Sequence, residues 1–170
     1  FYRALRAHNL AHPATPLYLV HGVWTELPPR NDFDNAAFNA AFAEEIRRVV
    51  DVLHGAAVLP GSPGHASGRY DADVSPWTIA YILGREWEPY AVKAFNAKHP
   101  RGSFVGDFFT TEDVPAMERW VARMCDHAAK YESKRYRTLH PLTFANWPTL
   151  DPLRHESESN RAEEDAWRAK

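Results

Sequence analysis

Apolar side chains recur along this chain with two different rhythms, and the switch between them marks out the elements. Over 35–54, Phe38, Phe42, Ile46, Val49, Val50 and Leu53 fall at i, i+4, i+8, i+11, i+12 and i+15, the stripe of an amphipathic helix. Asn39, Glu44, Arg47, Arg48 and Asp51 take the other positions, and Gly55 is placed to end the helix. A second stripe joins Met117, Trp120, Val121, Met124, Cys125 and Ala128. Glu112, Asp113 and Pro115 read as its start, and it is predicted to run to about Arg135. The opening "FYRALRAHNLAH" puts Tyr2, Leu5 and Asn9 near one face and is stopped by Pro13 and Pro16. A short helix is expected around 90–97, followed by the irregular stretch "KHPRGSFVGDFFTTED".

Three segments lack the helical rhythm. "PLYLVHGVW" (16–24), "WTIAYILG" (77–84) and "PLTFANWP" (141–148) are short, apolar, and rich in β-branched and aromatic residues, as buried strands are. Between the first two, "LPGSPGHASGRYDADVSP" (59–76) is crowded with Gly, Pro, Ser and Asp and predicts a long loop. Helix and strand therefore alternate, the pattern of parallel strands joined by helical crossovers. An open doubly wound sheet and an arc of a (β/α)8 barrel share that order. Neither GxGxxG nor a Walker A motif occurs, so the nucleotide-binding open sheet has no support. On the central strand the smaller Thr78, Ala80, Ile82 and Gly84 share one face, with Trp77, Ile79, Tyr81 and Leu83 on the other. The smaller face suits a barrel interior. The expected fold is α/β of the (β/α)8 TIM-barrel type, incomplete in this chain, with one domain over 1–156 and a polar, helical continuation over 157–170.

Composition narrows the function. The 170 residues are 45% hydrophobic and 13% aromatic, enough for a core, and the net charge of −2 gives no basic face for nucleic acid. No apolar run approaches the ~20 residues of a membrane span. The single cysteine, Cys125, excludes an internal disulfide and leaves the compartment undecided. Nine histidines invite a search for metal ligands, but no HExxH or CxxC is present; His8 and His12 stand four apart on a helix that Pro13 ends. No metal and no cofactor are expected. The chain begins Phe1-Tyr2-Arg3 inside a helical pattern and stops in "RAEEDAWRAK", so it reads as a piece of a longer protein.

"LYLVHGVW", "DVSPWTIAYILGREWEPYAV" and "PLTFANWPTLDPL" resemble consecutive strand ends of glycoside-hydrolase-type TIM barrels, closest to uncharacterised bacterial glycosidase-like proteins. The resemblance covers most of 1–156 and makes the three strands the third, fourth and fifth of eight. It implies a carbohydrate substrate, the rest of the barrel as a partner, and a secreted or cell-surface location. In the retaining-glycosidase clan the fourth strand ends in an Asn-Glu pair whose Glu is the acid/base; Glu86 matches that Glu, but Arg85 stands where the Asn would be. The clan's nucleophile, on the seventh strand, lies beyond this chain, so these residues alone are expected to be inactive.

Glycoside hydrolysis uses two carboxyl groups, one to protonate the leaving oxygen and one as nucleophile or base. Glu86, at the mouth of an apolar strand, is the candidate acid/base, the second carboxylate lies outside this chain, and Glu88 is a candidate substrate contact. Trp24, Trp87 and Trp147 each follow a strand, and aromatic rings stack on the apolar faces of sugars. His21 and Asn146, also at strand ends, complete the candidate substrate contacts. His65 and Asp151 are outlying candidates for its rim. The alternative is a non-catalytic carbohydrate-binding or scaffold barrel, which keeps the aromatic rim without the carboxylate pair.

Overall fold

The computed structural model describes residues 1–64 and 66–146. The chain opens with helix α1 (Tyr2–Ala11) and strand β1 (Leu19–Val23), then α2 (Ala36–Leu53). Short strands β2 (Ala57–Leu59) and β3 (Gly68–Tyr70) precede the long β4 (Thr78–Trp87) and α3 (Pro89–Lys98). Strands β5 (Gly102–Val105) and β6 (Thr110–Val114), α4 (Ala116–Tyr136) and β7 (Leu142–Asn146) follow. β1, β4 and β7 form one sheet in that order, parallel throughout, with His21 opposite Tyr81 and Leu83 opposite Phe144.

The two predicted stripes are the two core helices. Phe38, Phe42, Ile46, Val49, Val50 and Leu53 are all buried on α2, whose first turn is capped by Asn35 Oδ1 accepting the Phe38 N–H at 2.9 Å. On α4, Met117, Trp120, Met124, Cys125 and Ala128 are buried. Both helices share the core with the sheet face that carries Val23, Tyr81, Leu83 and Trp87. Phe33, fully buried in the β1–α2 connection, is the hub: its ring meets those of Phe38, Trp87, Phe95 and Trp120 at 5.0–6.1 Å. Trp120 Nε1 donates to Asn39 Oδ1 (2.7 Å), and Asn39 Nδ2 donates to the Phe33 carbonyl (2.9 Å), so the connection is pinned by polar groups as well. The opposite face of the sheet is more open, and Val20 and Gly22 are exposed there. No helix among the described residues is long and apolar enough to cross a membrane.

The (β/α)8 expectation is corrected here. The three parallel strands stand beside two antiparallel hairpins, β2–β3 and β5–β6, so the set is mixed and does not alternate as a (β/α)8 barrel does. The first hairpin puts β3 inside the predicted long loop and β2 at its start; His54 and Asp73 also bridge, and Gly55, at φ +66, packs against the Ala72–Asp73 backbone. The second occupies the stretch read as irregular and as a helix start. Its tip is held by Asp126 of α4, whose Oδ1 accepts the N–H groups of Phe108 (2.7 Å) and Phe109 (3.2 Å). Glu112 and Asp113 therefore belong to β6, and α4 begins after Pro115.

Candidate functional site

The carboxyl ends of β1 and β4 bring together a small polar cluster built around Arg85. β4 reaches this end through an irregularity: Leu83 pairs with Phe144 but Trp87 pairs with Asn146, so β4 spends four steps where β7 spends two. Gly84 sits in the irregularity at φ +82, and a Cβ there would run into the Trp87 ring. Arg85 then reaches sideways. Its Nη2 donates to Glu88 Oε1 at 2.6 Å, its Nη1 lies 3.7 Å from Glu26 Oε2, and its guanidinium carbon lies 5.6 Å from the Trp24 ring centroid. Glu88 is the N-cap residue of α3, with Pro89 in the first turn, and is buried at 7% exposure.

Two features give this cluster chemical capacity. The Trp24 indole is 56% exposed, an apolar platform held beside a guanidinium. Glu88 Oε2 is buried without a hydrogen-bond partner among the described residues. A buried carboxylate oxygen left unbonded costs free energy, on the order of 1–3 kcal/mol or more. A flat aromatic face beside a fixed cation is suited to a polyhydroxylated ring.

The sequence candidates divide. Trp24 and Glu88 belong to the cluster. Glu86 is exposed and Arg85 pairs with Glu88 and Glu26 instead. Trp87 points the other way, 1% exposed among Phe33 and Trp120, with its Nε1 unpartnered among the described residues. His21 is half-buried and both its nitrogens are engaged: Nδ1 with the Gly22 carbonyl (2.8 Å) and Nε2 with Tyr2 Oη (2.6 Å). Asn146 closes β7, opposite Trp87. Trp147, His65 and Asp151 lie outside the described residues.

A second cluster escaped sequence reasoning. Near the start of β7, Glu132 Oε1 is met by Tyr81 Oη (2.7 Å), His140 Nδ1 (2.6 Å) and His54 Nε2 (2.9 Å), while Oε2 accepts the His140 backbone N–H (2.9 Å). Burial alone would raise the Glu132 carboxyl, but the hydrogen bonds from His140, His54 and Tyr81 outweigh it and pull it down to about 2. The Glu132 contact raises His140, and burial with the Glu132 bond raises the Tyr81 phenol. The available signal was a glutamate on the buried stripe of α4, four residues beyond Ala128. Among the described residues, His54, Glu132 and His140 are the one group of three metal-type ligands. No protein-family model, curated protein or solved structure matches the chain.

Proposed function

We propose that the protein recognises an oligosaccharide or polysaccharide at the carboxyl end of its parallel sheet, as a glycoside-hydrolase-like domain. The observation that carries the reading is the exposed Trp24 ring beside the Arg85 guanidinium, which the buried Glu88 carboxylate anchors. A sugar ring stacks its C–H face on the exposed indole. Arg85 holds that carboxylate in place and offers its remaining N–H groups to ring or glycosidic oxygens. In open α/β sheets, ligands lie outside the carboxyl ends of the strands, where this cluster sits.

Hydrolysis is the second reading. The observation favouring it is Glu86, exposed on the same strand end as Arg85. One experiment separates the two. The protein and its Glu88→Gln and Glu86→Gln variants, each checked for folding, are titrated with a panel of neutral oligosaccharides and assayed for released reducing ends. Recognition predicts saturable binding of at least one glycan, weakened about tenfold or more by Glu88→Gln and unchanged by Glu86→Gln. Turnover lost in Glu86→Gln with binding kept moves the protein to the hydrolytic reading. No binding and no turnover across the panel removes both.

A further inference from the structure

The second cluster lies at the other end of the sheet from the carbohydrate reading and is independent of it. His54 follows the last turn of α2, Glu132 stands in the last turns of α4, and His140 leads into β7. Their ligand atoms all lie within 4.8 Å of one another. The side chains are 6%, 2% and 11% exposed, so the cluster lies inside the protein.

Hydrogen bookkeeping shows that something positive must lie among these atoms. His140 Nε2 faces the Ser75 carbonyl at 3.0 Å, and a carbonyl only accepts, so Nε2 carries a hydrogen. In the neutral imidazole the lone pair is then on Nδ1, which faces Glu132 Oε1 at 2.6 Å. Two lone pairs do not approach so closely without a proton or a cation between them. A proton settles His140, but not the whole cluster. Tyr81 Oη and His54 Nε2 converge on the same Oε1, which then carries three hydrogen bonds while Oε2 carries one. A cation resolves the crowding, because both imidazole nitrogens then face the ion and Tyr81 keeps its hydrogen bond to the carboxylate.

We propose that His54, Glu132 and His140 hold a divalent metal ion of the zinc class, tying the ends of α2 and α4 to the approach of β7. Two imidazoles and one carboxylate suit zinc and its first-row neighbours, whereas magnesium and calcium favour all-oxygen sites. Metal–ligand bonds of about 2 Å set tetrahedral neighbours about 3.3 Å apart, within side-chain rotation of the 2.6 and 2.9 Å seen here. The outer contacts are those of a metal site. His140 gives its second nitrogen's hydrogen to a backbone carbonyl, Glu132 takes a backbone N–H on its other oxygen, and the His54 ring stacks flat on Tyr136 at 3.8 Å. The ion joins elements far apart in the chain, and with three protein ligands its fourth position falls to water.

The test uses the full chain, after chelation and dialysis, titrated with Co²⁺ and then Zn²⁺. A His8→Asn/His12→Asn background removes the helical pair whose rings stand 4.6 Å apart and which would otherwise compete. The expected result is one equivalent of Co²⁺ with visible d–d bands of four-coordinate strength, displaced by Zn²⁺, at a Kd of about 1 µM or tighter. Metal-loaded protein should also melt at a higher temperature. His140→Ala should weaken binding more than about 100-fold. A folded parent that takes up no stoichiometric Co²⁺ or Zn²⁺ and melts identically with and without chelator overturns the proposal, whatever the variants do. Full-strength binding in both His54→Ala and His140→Ala overturns it as well. The cluster would then be a hydrogen-bonded imidazolium–carboxylate pair.

Discussion

Replacing Gly84 by alanine tests how the sheet builds the candidate site. Gly84 sits at φ +82, where a side chain is strained, at a cost on the order of 1–3 kcal/mol. The new methyl would also meet the Trp87 ring, with Cε2 3.0 Å from the ideal Cβ position. That ring has nowhere to go: it is 1% exposed and wedged edge-on against Phe33 (5.1 Å) and Trp120 (5.3 Å). Overpacking of this kind typically costs about 1–3 kcal/mol. The two effects sum to roughly 2–6 kcal/mol, a large share of the ~5–15 kcal/mol that holds a domain folded. Gly22 on the neighbouring strand is the control, because nothing lies within 4 Å of its Cβ position and its φ is ordinary. Gly22→Ala should therefore change stability by less than about 1 kcal/mol in either direction. Urea unfolding of both variants, followed by tryptophan fluorescence, reads the difference directly. A Gly84→Ala midpoint within about 0.5 kcal/mol of the parent would refute the reasoning, because neither the strain nor the ring contact would then be real.

Trp120→Phe removes the donor to Asn39 Oδ1 and leaves space beside Phe33, so it should cost about 2–4 kcal/mol in the same urea assay. Cys125 is buried and burial pushes its thiol up to about 11, so thiol-reagent labelling at pH 8 should run about 100-fold or more slower than for an exposed cysteine, rising to the exposed rate in denaturant. His127 is held below its ordinary value by burial and then by Arg47, against the opposing pull of the Ala43 carbonyl, Asp126 and Glu44. The unfolded chain therefore takes up this proton first. Its contribution is present above pH ~6.5 and is lost as pH falls through the lower folded value. His127→Gln should flatten the parent's loss of stability between about pH 6.5 and 5, and an unchanged slope would contradict the assignment.

How much of this was legible depended on whether the signal was periodic and local. α2 and α4 were, because Phe38 to Leu53 and Met117 to Ala128 repeat at helical spacing and the core takes that face. The parallel trio β1, β4 and β7 was, because continuous apolar runs mark strands that helices cover. The hairpins were not. β2 and β3 have three residues each, too few for an alternation, and β6 reads "TTEDV", whose acidic pair before Pro115 imitates the start of a helix. That omission is what made a mixed set of strands look like part of a barrel. Within the candidate site, Trp24 and Glu88 stood out as a tryptophan and a carboxylate at strand ends. The burial of Trp87 did not, because it depends on the backbone turn at Gly84 and the ring packing of Phe33, which no pattern in "GREWEP" reports. The Glu132 cluster joins residues 78 and 51 positions apart in the chain, and only the fold brings them together.

The central claim is that the Trp24 platform and the Arg85-held Glu88 carboxylate form a sugar site, and Trp24→Ala tests it most directly. Trp24 is exposed and makes its described contact with Arg85 alone, so its loss should leave the fold intact. Calorimetric titration of parent and variant with the best-binding oligosaccharide is the measurement. The account predicts saturable binding to the parent, weakened about 10- to 100-fold in Trp24→Ala as the stacking surface is lost, with the urea midpoint unchanged. Equal affinity in the two proteins would contradict it.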